Sequence, residues 1–173
     1  MRWIVLLRAV NVGGTGKLPM AELRKALAAA GAEDVATYIQ SGNVVMSLDE
    51  DDPRRVEAMV AQVIEDNFGF RPGVMAFTAA DFDAALGALP AEPEYGRHLH
   101  LMFFTDTPDP EVAAKLAGHC TGGETVVLGE RCLYLHAPAG FGTSKLGGRV
   151  ERALGVAATG RNLNSVRKIR AMV

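Results

Sequence analysis

Two short polar loops contain the residue types that could bind a ligand. Residues 11–17 read NVGGTGK and residues 40–43 read QSGN. Glycine lets the backbone take a positive φ and lets another group come close, while lysine and amide side chains supply a charge and hydrogen-bond donors. We therefore expect a binding site for an anionic, phosphate-bearing small molecule. Its candidate residues are Arg8, Asn11, Gly13, Gly14, Lys17, Gln40, Ser41 and Asn43, with Arg161 and Asn162 as further candidates from the tail.

The sequence GGTGK resembles the end of a P-loop but departs from that motif at two positions. The P-loop pattern requires a glycine where Asn11 stands, and a serine or threonine where Leu18 follows Lys17. No hydroxyl is then placed for magnesium, so we do not expect a nucleoside triphosphatase. A plain strand-to-helix turn is the simpler interpretation of residues 11–17, and residues 41–43 have the composition of an ordinary hairpin turn.

Three interpretations of these loops remain open. The first is a non-catalytic binding module. The second is an enzyme of unknown reaction that uses the same strand-end cleft, with Lys17 or Arg8 as an electrostatic stabiliser and no identified base. In the third, the polar residues only lock turns and subdomain contacts, and Arg161, Asn162 and Asn164 cap the last helix.

Metal, cofactor and nucleophile signals are weak. His98 and His100 share one face of a predicted strand, but no third ligand is indicated. Cys120 and Cys132 lack the paired spacing of a structural zinc site, and the chain has no GxSxG motif. We therefore expect no metal and no cofactor, and we assign no catalytic residue.

The elements around the loops follow a recognisable order. Strand-like runs at residues 3–10, 35–40, 43–48 and 74–78 alternate with helical periodicity at 19–31 and 53–68. This is the βαββαβ order of a split βαβ unit. A right-handed crossover makes the first two strands parallel, so their carboxyl ends, and the two polar loops, should lie at one edge of the sheet.

The second half of the chain repeats that order. It contains strand-like runs, a helix predicted at residues 143–154 and a last short strand predicted at 156–159. We therefore predict an α+β fold of two ferredoxin-like subdomains in tandem plus a C-terminal helix. The predicted segments are a first subdomain at 1–78, a connecting helix and linker at 79–96, a second subdomain at 97–159, and an amphipathic helix at 160–173.

Charge and composition restrict the partners. The 173 residues include 18 basic and 20 acidic ones, whereas a dedicated nucleic-acid-binding domain is usually strongly basic. Residues 143–173 contain seven basic residues and one acidic residue. That segment is either a solvated helix face or an anion-attracting patch, so contact with a nucleic-acid backbone stays an alternative. The oligomeric state is left undetermined.

Cysteine content and hydropathy suggest a compartment. Two isolated cysteines suit a reducing cytosol better than a disulfide framework. The apolar run at residues 3–7 is too short for a signal peptide, and no apolar run approaches the ~20 residues of a membrane span. We expect a soluble, cytoplasmic protein without a membrane partner.

Several segments resemble a known bacterial family. The segments LLRAVNVGG, PMAELR, TYIQSGNVV, YLHAPAGFGTSKL and ATGRNLNSVRKI are similar to those of the domain-of-unknown-function family 1697 (DUF1697), over nearly the whole chain. In the tail, Thr159, Arg161 and Asn162 match the family's pattern, while Leu163 replaces its tryptophan. The resemblance implies paired ferredoxin-like subdomains and carries no established activity.

Overall fold

A computed structural model describes all 173 residues. It divides the chain into two compact units. The first comprises Met1–Ala80 together with Ile169–Val173, and the second comprises Asp81–Lys168. None of the helices has the length and apolar character that crossing a bilayer would require.

The first unit has the predicted βαββαβ element order. Its elements are β1 (Arg2–Arg8), α1 (Met20–Ala29), β2 (Glu33–Tyr38), β3 (Asn43–Ser47), α2 (Pro53–Phe68) and β4 (Gly73–Phe77). The strands form one antiparallel sheet in the order β2-β3-β1-β4. Because β1 and β2 both run antiparallel to β3, they are parallel to each other, as the sequence predicted.

The core of this unit consists of alternate side chains of β1 and the apolar faces of the two helices. Trp3, Val5 and Leu7 face the same side of the sheet and are at most 1% exposed. They pack with the apolar stripes of the helices, which consist of Met20, Leu23 and Leu27 in α1 and Val56, Val60 and Ile64 in α2. The side chain of Asp52 accepts a hydrogen bond from the Arg54 amide and caps α2.

The second unit repeats the arrangement. Its elements are the end of α3 (Ala79–Gly87), then β5 (Leu99–Phe103), α4 (Val112–Ala117), β6 (Thr125–Leu128), β7 (Cys132–His136), α5 (Val150–Leu154), β8 (Thr159–Asn162) and most of α6 (Leu163–Arg170). The sheet order is β6-β7-β5-β8, and every neighbouring pair is antiparallel. The predicted α+β class with two similar subdomains is confirmed.

Three predicted elements of the second half differ in extent. The helix predicted at 143–154 is only α5 (Val150–Leu154), preceded by a short 3₁₀ turn at Phe141–Thr143. Gly147 and Gly148 lie in the part that does not form, since each glycine costs roughly 1 kcal/mol in a helix. The last strand is Thr159–Asn162 rather than 156–159, because residues 159–162 pair with β5. The final helix therefore begins at Leu163 rather than near residue 160.

Candidate functional site

The two polar loops meet at the carboxyl ends of β1 and β2. We call residues 9–19 the glycine loop, residues 39–43 the hairpin turn, and both together the strand-end rim. The side-chain Nδ2 of Asn11 donates to the main-chain oxygen of Gln40 at 2.8 Å, across 29 residues of sequence. The convergence that the topology predicted is therefore present.

Asn11 uses its whole amide group to hold the rim. Its Nδ2 also donates to the Leu18 carbonyl at 3.0 Å, and its Oδ1 accepts from the Leu18 amide at 2.8 Å. Its own backbone amide donates to the Gly16 carbonyl at 2.9 Å. These bonds show that Asn11 positions the two loops, and its contact with a ligand stays a prediction.

The side chain of Asn43 holds the hairpin turn in a similar way. It is 1% exposed, and its Nδ2 donates to the Tyr38 carbonyl at 2.9 Å and to Ser41 Oγ at 3.1 Å. The neighbouring Gly42 carbonyl accepts from the Leu7 amide at 2.8 Å. A Cβ at Gly42, where φ is +79°, would lie 2.6 Å from Leu7 Cβ. Glycine is therefore required at this close approach.

Four of the predicted ligand residues of the rim face solvent. Gly13 and Gly14 have φ of +59° and +78°, and a Cβ added at either position would have no other atom within 4 Å. Their amide N–H groups have no acceptor within the chain. Lys17 and Gln40 are exposed as well. The rim thus combines one free ammonium group, two free amide donors and one exposed carboxamide.

Backbone strain at the rim was not predicted from the sequence. Ala9 and Ile39 are in the left-handed region, at φ of +58° and +50°, which is a genuine outlier for a β-branched residue. Ile39 is also 51% exposed and Val12 is 63% exposed. Nothing in the local sequence signals either feature, because the conformation of Ile39 depends on hydrogen bonds to its two neighbours.

Arg8 stands immediately before the glycine loop. It is the last residue of β1 and pairs with Gly73 of β4. Its Cβ is 3.2 Å from where a Cβ of Gly73 would stand, so its stem covers that glycine. Gly73 lies on β4, on the opposite side of β1 from β3 and the hairpin turn.

Arg161 and Asn162 belong to the second unit, on β8. Arg161 is 7% exposed, and its Nη1 donates to Thr159 Oγ1 and to the Gly160 carbonyl, both at 2.8 Å. Burial lowers the pKa of its guanidinium to about 10. The Oδ1 of Asn162 accepts from the Ser165 amide at 3.0 Å and caps α6. Both side chains thus have structural partners within β8 and α6.

The cysteines and histidines form no obvious reactive centre. Cys132 is 1% exposed, and burial raises the pKa of its thiol to about 12. Burial likewise raises the pKa of Cys120, so neither thiol is activated as a nucleophile. No three His, Cys, Asp or Glu side chains come together in a way that could hold a metal ion.

Comparison with known proteins places this chain in a family. The family model described as DUF1697, protein of unknown function, matches residues 1–134. The chain belongs to the DUF1697 family. The matched residues include the whole strand-end rim and end before β8, so Arg161 and Asn162 lie outside the match.

A solved structure is similar over nearly the full length of the DUF1697 chain. It is the conserved bacterial protein SP0830 from Streptococcus pneumoniae, with a TM-score of 0.77 and 25% sequence identity. The alignment covers 99% of this chain and 97% of that one. No curated protein matches. The comparisons thus establish the family and the two-subdomain fold, and neither description states an activity.

Proposed function

We propose that this protein is a non-catalytic binding module for an anionic, phosphate-bearing small ligand, bound at the strand-end rim. The observation that carries the proposal is the Asn11–Gln40 hydrogen bond of 2.8 Å. It fixes the two loops at one place, so that Lys17 and the free amide N–H groups of Gly13 and Gly14 can act on the same ligand.

The local charge supports an anion at this rim. Residues 9–19 and 39–43 contain one lysine and no acidic residue. Helix α1 follows at once, and no side chain caps its first turn at Pro19, although the carboxylate of Glu22 lies in that turn and offsets part of the positive charge of the helix start. Hydrogen bonds to a charged group contribute about 1.5–3 kcal/mol each, so a few such bonds suffice for binding.

An enzyme at the same rim has less support. General acid–base catalysis needs a side chain that can exchange a proton near neutral pH. Neither loop contains His, Cys, Asp or Glu. Asn11 and Asn43 are fully engaged in holding the loops. This composition favours recognition over turnover.

The basic C-terminal segment is a weaker candidate for anion binding. Arg161 is buried, and Arg167 forms a two-pronged ion pair with Glu92, at 2.9 and 2.8 Å. Both cations are thus committed within the second unit. Fewer cations remain for nucleic-acid phosphates than the sequence count of seven suggests.

We also infer that the protein works in a reducing compartment such as the cytoplasm. Cys120 and Cys132 are free thiols, which suits an intracellular protein.

Isothermal titration calorimetry of the full chain with inorganic phosphate and with phenyl phosphate tests the proposal. We expect saturable binding whose affinity falls with added salt. The substitution Lys17→Ala should lower the affinity at least tenfold, which corresponds to the loss of one charge-assisted hydrogen bond. Lys25→Ala is the matched control, since Lys25 is an exposed lysine of α1 that pairs with Glu22 at 3.2 Å. Equal effects of the two substitutions, or no binding of either compound, would contradict the proposal.

A further inference from the structure

We infer that the ligand of the strand-end rim is a monophosphate ester with an apolar organic group, bound without a divalent cation. This inference rests on the proposed function and narrows it. Two features of the rim carry it, namely its charge and its exposed apolar side chains.

The charge of the rim fits a single phosphate group. Lys17 is its only cation, and neither loop has a carboxylate that could coordinate magnesium. Leu18 stands where a P-loop has its magnesium-binding hydroxyl, and it is 1% exposed with its amide bonded to Asn11. A triphosphate would bring several negative charges to one lysine with no metal ligand beside it. A monophosphate matches one ammonium group and two amide donors.

Two exposed apolar side chains flank the anion-binding groups. Val12 follows Asn11 and Ile39 precedes Gln40, the two residues joined at 2.8 Å. They are 63% and 51% exposed. Their exposure on the two joined loops provides apolar surface at the rim for the organic part of an ester, and inorganic phosphate would leave that surface unused.

The backbone holds Ile39 in its exposed position. The carbonyl of Tyr38 accepts from Asn43 Nδ2 at 2.9 Å, and the carbonyl of Gln40 accepts from Asn11 Nδ2 at 2.8 Å. The peptide group before Ile39 and the one after Gln40 are therefore both hydrogen-bonded, while the φ of Ile39 is +50°. Such strained residues concentrate at ligand-binding positions, and here the strain keeps an isoleucine in solvent instead of in the core.

Calorimetry at constant ionic strength tests the inference with three probes: inorganic phosphate, phenyl phosphate, and ATP with or without magnesium. We expect phenyl phosphate to bind about tenfold more tightly than inorganic phosphate, the effect of burying on the order of 55 Å² of apolar surface. Excess EDTA should change neither affinity, and magnesium should not make ATP the tightest ligand.

A double variant assigns that preference to the rim. The double variant Val12→Asn with Ile39→Asn should bind phenyl phosphate and inorganic phosphate with affinities that agree within about twofold. Asparagine tolerates a positive φ, so the variant should fold. Val127→Ser is the control, because Val127 is a valine of β6 that is 41% exposed; it should keep the ratio. Equal affinity of the native protein for both phosphates, a ratio that survives the double variant, or a requirement for magnesium would overturn the inference. Such results would leave the proposed anion site intact, whereas absence of any phosphate binding would overturn both.

Discussion

The side-chain amide of Asn11 lies 2.8 Å from the main-chain oxygen of Gln40 and joins two loops separated by 29 residues. The same side chain forms two further bonds with the backbone of Leu18. One residue thereby sets the shape of the glycine loop and its distance from the hairpin turn.

Asn11→Ala should destabilise the protein by about 2–4 kcal/mol, since it removes three hydrogen bonds and leaves an alanine at positive φ. Asn67→Ala is a matched control, because Asn67 is an exposed residue of α2 whose side chain bonds only to the Val63 carbonyl. This substitution should cost less than about 1 kcal/mol. Urea unfolding of both variants measures the difference. Equal losses would show that the Asn11 bonds do not order the rim.

Gly42→Ala should cost about 3 kcal/mol or more, because the new Cβ would meet Leu7 Cβ at 2.6 Å and Val10 Cγ2 at 2.8 Å. Gly13→Ala provides the comparison, since its φ of +59° is equally unfavourable but the space around it is open. It should cost only about 1 kcal/mol. If the two alanine variants unfold at the same urea concentration, the hairpin turn does not pack against β1 as described.

Ile39→Asn should stabilise the protein by about 1 kcal/mol, because asparagine adopts the left-handed conformation more readily than a β-branched residue. Val12→Asn controls for removing an exposed apolar side chain, and Val12 has no positive φ. The free energy of unfolding of the two variants is the measurement. A loss of stability in Ile39→Asn would mean that Ile39 makes packing contacts that its exposure does not indicate.

Stability should fall as the pH drops below about 6.5, the ordinary pKa of histidine. His100 stacks on Phe141 with ring centroids 4.3 Å apart, and burial lowers its pKa from 6.5. Because the unfolded chain takes up the proton first, the contribution of neutral His100 to stability is fully present above its pKa in the unfolded chain. As the pH falls from that value to the lower pKa of the folded protein, the contribution is progressively lost. His100→Phe keeps an aromatic ring beside Phe141. The free energy of unfolding of this variant should differ less between pH 7.5 and pH 5.5 than that of the native protein. An undiminished difference would assign the pH dependence to other groups.

Much of the architecture could be predicted from the sequence because it depends on periodicity. The apolar run at residues 3–7 predicted β1, and the apolar stripes predicted α1 and α2. Together with the other strand-like runs they gave the βαββαβ order, and that order made β1 and β2 parallel. The meeting of the two polar loops followed from this geometry alone.

The parts that could not be predicted depend on contacts between distant residues. Ile39 takes a positive φ between Tyr38 and Gln40, whose carbonyls accept hydrogen bonds from the distant side chains of Asn43 and Asn11. Residues 159–162 read TGRN, which has little strand propensity, yet they form β8 by pairing with β5. Neither Asn11 nor Asn43 could be recognised as a loop-holding residue from its type, since asparagine suits turns and ligand contacts alike.

The most direct test of a phosphate site at the rim is a ¹H–¹⁵N NMR titration of the full chain with phenyl phosphate. The amide signals of Gly13, Gly14 and Lys17 should shift together and saturate, and the shifts should vanish in Lys17→Ala but persist in Lys25→Ala. Unchanged glycine signals in the native protein, or saturable shifts confined to residues outside 9–19 and 39–43, would contradict the account.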